Sequence, residues 1–276
     1  MSARGVIRWA TFAAPLALAA AASWPATASA EQAADSWQGD APIYLWMPEI
    51  TGAANLRGGN SADIDVKFHT LLDSLKFAGM GTLAVQNGEW GGFTDIIFMN
   101  LGASKTTTRD GTIDGVPLPA QINLKTDLGL KAWIWTLAAN YRLKAEPDST
   151  LDVFAGTRLL WLQPKLEYTF SADVGPFVGP GRSGSRSVTG QSWDGIVGLK
   201  GRTDFGDEHK WFFSYYLDAG AGDSQFTWQG SAGVGYRFHW GDLIASWRYL
   251  DYSMKSGKKL DDLTINGPLL GATFHW

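Results

Sequence analysis

The segment from Phe226 to Trp240 constrains this chain more than any other stretch of its sequence. One parity reads Phe226, Trp228, Gly230, Ala232, Val234, Tyr236, Phe238 and Trp240, and the other reads Thr227, Gln229, Ser231, Gly233, Gly235, Arg237 and His239. A period of two, kept without an error over 15 residues, is a strand whose two faces meet different environments. Strands of globular proteins run to ~5–6 residues, so this one outgrows a soluble sandwich. Trp228 and Phe238 bracket a run of small apolar residues on the same face. The ten residues between those rings span ~33 Å at ~3.3 Å each. A tilt of ~40° projects that length to ~25 Å, the height of an apolar band between two aromatic interfaces. A soluble barrel would turn this face inward and has no reason to space rings so. The strand is expected to cross lipid.

Composition narrows the chemistry. The chain has 276 residues, 14 Trp and no Cys, which excludes a disulfide scaffold, a thiolate metal site, an iron–sulfur cluster and a cysteine nucleophile. A net charge of −4 and a pI near 5.5 speak against nucleic acid as a partner. Arg4 and Arg8, an apolar run from Thr11 to Ala22 and the small residues Ala28-Ser29-Ala30 form the pattern of a secretory signal peptide, 1–30, cut before Glu31. That apolar run falls short of the ~20 residues of a membrane-spanning helix, and no 18-residue apolar run follows it. Membrane crossing is left to strands, and 31–276 is expected to form one domain.

Other segments repeat the alternation. Leu151, Val153, Ala155, Leu159 and Trp161 alternate with Asp152 and Arg158; Trp193, Val197 and Leu199 with Asp194, Lys200 and Arg202; Trp211, Phe213, Tyr215 and Leu217 with Ser214 and Asp218; Leu243, Ala245 and Trp247 with Asp242 and Arg248. Between Ile122 and Ile134 the even positions are apolar and the odd ones include Lys125, Asp127 and Lys131. Around Tyr44 to Ile50 parity does not say which side faces lipid. Strands are expected near 40–55, 75–87, 89–104, 122–144, 149–170, 187–203, 209–221, 224–240, 241–254 and 262–276. Long connections at about 56–74, 105–121, 171–186 and 255–261 alternate with short ones at Asn87-Gly88, 145–148, Gly206-Asp207 and Trp240-Gly241. Only the tight turn near Asp223 departs from this. Such asymmetry marks an all-β, antiparallel up-and-down transmembrane barrel with an even strand number. Ten strands are expected, and twelve if Ala62 to Phe68 adds one.

The chain ends with Leu270, Ala272, Phe274 and Trp276 at alternate positions. This resembles the C-terminal signal of bacterial outer-membrane β-barrel proteins, of the small porin-like or OmpA-like class, with Trp in place of the usual terminal Phe. The resemblance implies residence in the outer membrane among its lipids, and recognition by the barrel-assembly machinery through Phe274 and Trp276. The aromatic girdle is expected to comprise Trp161, Trp193, Trp211, Trp228, Phe238, Trp240, Phe274 and Trp276.

With the apolar parity on lipid, the other parity lines the lumen: Asp95, Lys125, Asp127, Lys131, Asp152, Arg158, Asp194, Lys200, Arg202, Asp218, Arg237 and Arg248. These charges read either as the wall of a narrow pore for small solutes or as paired charges that close the interior. Leu71, Leu72 and Leu75 place a short amphipathic helix over Thr70 to Lys76, as a plug, a cap or a turn under a loop. Gly175 to Gly184 lacks the ending of a phosphate loop, and Asp110-Gly111 and Asp114-Gly115 lack calcium-loop spacing; a mobile loop and turns are expected. The four histidines form no cluster, and neither a cofactor nor a metal is expected. His69, near Asp63, Asp65 and Asp73, is the single candidate for catalysis at the rim. Three functions stay open: a narrow channel shading into an envelope-structural barrel, an enzyme acting on lipid or peptide, and a barrel whose surface loops bind a partner.

Overall fold

The computed structural model describes residues 37–55, 61–113, 116–174, 177–178, 182–187, 189–206, 208–258 and 260–275. The expected signal peptide, Asp114-Gly115, much of the Gly/Pro-rich segment and Trp276 lie outside them. In chain order the elements are β1 (Gln38–Trp46), β2 (Glu49–Asn55), β3 (Ser61–Val66), α1 (Phe68–Ser74), β4 (Leu75–Asn87), β5 (Trp90–Ile113), β6 (Val116–Glu146) and β7 (Ser149–Val174). There follow β8 (Phe177–Val178), β9 (Arg182–Ser187), β10 (Gly190–Phe205), β11 (Trp211–Gly222), β12 (Ser224–Phe238), β13 (Gly241–Met254) and β14 (Leu260–His275). Ten strands pair in the order β1-β4-β5-β6-β7-β10-β11-β12-β13-β14, and β14 returns to β1 from Asp40↔His275 to Trp46↔Leu269. Every pair is antiparallel and the barrel is closed, so no edge of this ring is left unpaired.

The segment that left the count between ten and twelve is explained by Pro48. It interrupts the first strand, and the Met47 amide donates to the Pro268 carbonyl at 2.9 Å across the break. Beyond it β2 continues along β14, and β3 pairs with β2 alone. β4 returns to β1, not to β3. Ala62 to Val66 is therefore a strand outside the closed ring. The helix starts and ends two residues earlier than expected, at Phe68 and Ser74.

Two expected loops are strands. β5 and β6 pair from Trp90↔Tyr141 to Asp110↔Gln121, shift register, and resume at Thr112↔Pro117. The chain after Val174 folds back as β8 and β9 onto β7. β-branched residues such as Thr106 to Thr108 favour the strand in this extension. At the opposite end the connections are short; Gly88, between β4 and β5, adopts φ 57°, a region that glycine enters without strain.

The outward parity is apolar and its rings gather at two levels. Near the short turns, Trp211, Tyr236, Phe238, Trp240 and Phe274 form a chain with centroids 5.0, 4.8, 5.6 and 5.9 Å apart. Toward the long hairpins, Phe77–Phe98, Phe98–Trp133, Trp135–Trp193 and Trp228–Tyr249 pairs lie 4.6–6.0 Å apart. Trp161 is paired with Trp133 in register, on the same face. This inside-out distribution is that of a membrane barrel.

The parity of β6 corrects one expectation. Ala132, Ile134 and Thr136 are buried inside the barrel, while Lys131, Trp133 and Leu137 face outward and Lys125 is exposed. Asp127 shares that outward parity; it accepts from Ser104 and lies 3.5 Å from Lys125. Lys125, Asp127 and Lys131 therefore do not line the lumen. Beyond the Trp133 ring the outer face meets water and carries charge, whereas the inner face meets an apolar core. Odd positions of β6 face outward on both sides of the girdle, and it is the polarity of each face that inverts there.

Inside, small residues make room for rings. A Cβ on Gly235 would stand 2.1 Å from Cζ of Phe212, whose ring carries the Arg202 guanidinium 3.6 Å from its centre. Gly235→Val is expected to lower stability by about 1–3 kcal/mol through overpacking, seen as a lower urea midpoint for the folded band on unboiled gels. Gly190→Ala, where nothing lies within 4 Å, serves as the control; equal midpoints for the two variants would refute the packing described.

Candidate functional site

The interior is layered along the barrel. At the long-hairpin end the inward residues of β1, β2, β5, β6, β7, β13 and β14 meet in an apolar core that includes Trp46, Ile97, Ile134, Leu160 and Leu250, all essentially inaccessible. Leu71 of α1 enters this core from above, and Ile64 and Val66 of β3 pack against it. Leu72 and His69 of α1 stay exposed. Lys67, just before the helix, bridges Asp65 at 3.3 Å and Glu49 at 3.6 Å, and those carboxylates, Asp65 foremost, hold its ammonium above the usual lysine range. Among the described residues His69 pairs with no side chain, and Asp65 is turned to Lys67.

Below the core lies a layer of paired charge. Arg248 donates to Asp95 at 2.8 Å, to Gln229 at 2.9 Å and to the Tyr44 hydroxyl at 3.0 Å. Tyr44 and Thr82 in turn donate to Asp95 at 2.6 and 2.7 Å. On the facing wall Arg158 grips Asp218 with both terminal nitrogens and reaches Thr136 at 3.3 Å. Asp194 is buried without an arginine; it accepts from the Ser224 amide and hydroxyl at 2.9 and 2.7 Å and from Ser192 at 3.1 Å. Burial of so many charges is tolerated because each meets a partner or several donors.

The short-turn half is open. A cavity of about 400 Å³ reaches from Asp95 and Arg248 down to Asp40 and Thr150 at the mouth. Phe93 and Tyr216 on its wall form a ring nest with the buried Phe154, with centroids 5.1–6.3 Å apart. Lys200 enters the cavity with its ammonium 4.4 Å from the centre of the Phe93 ring. At the mouth Asp152 accepts from Arg142 at 2.8 Å, and Asp204 from Arg202 at 2.7 Å and Arg237 at 2.8 Å; Arg202 also reaches Asp242. His209, at φ 50° in a short turn, stands 3.1 Å from Asp148. His239 lies exposed beyond the end of β12. Among the described residues no three His, Asp or Glu side chains gather as a metal site.

The vestibule thus brings together Asp95, Asp152, Lys200, Arg202 and Arg248 from the expected lumen set, while Arg158 and Asp218 lie sealed beside it and Arg237 sits at its rim. Sequence reasoning missed Tyr44, Phe93, Phe212 and Tyr216. Phe212 hides between two lipid-facing rings, Trp211 and Phe213, and its signal is an aromatic on a parity that is otherwise polar.

No protein-family model and no curated protein matches this chain. Solved structures do, and they are outer-membrane proteins. The chain is similar to the outer membrane protease OmpT from Escherichia coli, at 12% identity and TM-score 0.44, over 88% of this chain and 98% of that one. It is similar to Ail, the attachment invasion locus protein of Yersinia pestis, crystallised with a heparin analogue, at 14% identity and TM-score 0.32, over 88% and 99%. The translocator domain of the autotransporter NalP from Neisseria meningitidis matches at 14% identity and TM-score 0.35, over 88% and 90%. At these scores no activity and no residue role passes to this chain. The barrel rests on its own strand pairing.

Proposed function

We propose that this chain is a resident of the bacterial outer membrane that offers a narrow passage for small solutes, held shut in this conformation by the core beneath α1. Both aromatic levels fit the two faces of a bilayer, and the short turns fit the periplasmic side. The observation that carries the reading is the vestibule, a polar chamber open at the short-turn end that stops against an apolar plug. A wide porin has no such plug, and a barrel with a purely structural task has no need for the chamber. Opening requires the plug to loosen, and α1 with Leu71, together with β3, is a part of it that lies outside the closed ring.

Planar bilayers with refolded protein test this. The native chain is expected to be silent or nearly so, and a variant in which Phe68–Ser74 is replaced by a Gly/Ser linker of equal length is expected to give discrete conductance steps. Silence from both, with the folded band retained on unboiled gels, would leave an envelope-structural barrel and end the passage reading. Hydrolysis of lipid or peptide that is lost in His69→Ala would instead move the function to the rim.

A further inference from the structure

Three of the acids that line the vestibule are held by arginines, while its lysine is held by no acid among the described residues. Asp95 is held by Arg248, Asp152 by Arg142 and Asp242 by Arg202. Lys200 forms no ion pair and no hydrogen bond among the described residues; Asp152 and Asp40 attract it only at longer range, and its ammonium rests on the Phe93 ring. Cross-strand register places Lys200, Tyr216, Ser231 and Arg248 in one row across four neighbouring strands. On the same wall Arg202 Nη2 and Arg248 Nε are buried donors without an acceptor. An ammonium in a half-buried ring nest loses hydration that a single cation–π contact restores only in part. Among the described residues Lys200 is the cation of this wall with no carboxylate against it, and it stands beside an apolar surface.

We propose that the vestibule binds a small organic carboxylate, with the carboxylate on Lys200 Nζ and the carbon body against Phe93, Tyr216 and Phe212. The cavity volume falls within the ~300–1,000 Å³ of small-molecule sites, in which apolar and aromatic side chains share the lining with a few placed polar groups. A charge-assisted contact in so sheltered a place outweighs the same contact in water. Inorganic phosphate carries the charge without the carbon body, and a neutral aromatic alcohol carries the body without the charge. Binding does not depend on conduction, so a silent barrel can still hold the ligand.

The test is calorimetric titration of benzoate, phosphate and benzyl alcohol, each into refolded full-length protein in detergent. Saturable benzoate binding is expected, with neither phosphate nor benzyl alcohol matching it. Lys200→Gln is expected to weaken benzoate by at least about tenfold, the loss of one charge-assisted contact, with an unchanged heat-shifted band. Should Lys200→Gln fail to fold, Ser231→Asp sets an opposing charge in the same row and is expected to abolish binding. Absence of saturable benzoate binding, or equal affinity in the native and substituted chains, overturns the proposal. Phosphate binding as tight as benzoate overturns the role given to the rings.

Discussion

Replacing Asp218 with Asn is expected to lower the unfolding free energy of the barrel by about 3–5 kcal/mol, the largest effect of any single exchange proposed for this chain. Arg158 and Asp218 have fully inaccessible side chains. Arg158 Nη1 donates to Asp218 Oδ1 at 3.0 Å and Nη2 to the second oxygen, so the pair is a two-point clamp from β7 to β11. Among the described residues the one other acceptor on the guanidinium is Thr136 Oγ1, at 3.3 Å from Nε. Without the carboxylate a positive charge stays inside with no counter-charge, and an amide offers one weak acceptor in its place. The double exchange Arg158→Met with Asp218→Leu removes both charges and is expected to recover most of the loss, since an apolar pair of similar volume avoids the desolvation of both ions. Urea titration of the folded band in vesicles measures all three. A loss below about 1 kcal/mol, the range of solvent-exposed pairs, would mean that water reaches the clamp.

Ala232→Arg carries the second large effect, about 2–4 kcal/mol of destabilisation in a lipid bilayer. Ala232 faces outward on β12, roughly midway between the Trp228 and Phe238 rings, where the side chain of an arginine reaches neither interface. The control is Gln191→Arg, on the outward parity of β10 two residues beyond the Trp193 ring. That position meets water and headgroups, and its change is expected to stay within about 0.5 kcal/mol. Equal stabilities for the two arginine variants would show that the band between the girdles does not face lipid. The pair of measurements reads the membrane position of the barrel directly, because water-exposed surface would accept either arginine.

Much of the architecture was legible because lipid imposes a simple rule on strands. Between the girdles, where acyl chains lie outside and paired charge inside, parity alone separates Leu243, Ala245 and Trp247 from Asp242 and Arg248. The rule inverts beyond the girdle. On β6 the inward parity is apolar at Ile134 because the barrel there holds a core, and the outward parity is charged at Lys131 because water begins. Nothing within β6 marks where that change occurs; it depends on the height of Trp133 relative to Phe98 on β5 and Trp161 on β7. The strand outside the ring has the same cause. Ala62 to Val66 alternates well enough for a wall strand, and only the break at Pro48 and the return of β4 to β1 keep it out.

Alternation, girdle spacing and the pattern of short and long connections determined a membrane barrel of about ten strands from the sequence by itself, since each of these is local and lipid reads it residue by residue. Tertiary structure alone decided which charges pair, that the long-hairpin half is packed with Trp46, Leu160 and Leu250, and that Lys200 stands apart in the open half. Those outcomes depend on which residues meet across the lumen from strands far apart in sequence, as when Arg248 meets Tyr44 with a separation of 204. Shear and register set that meeting, and no single strand encodes them.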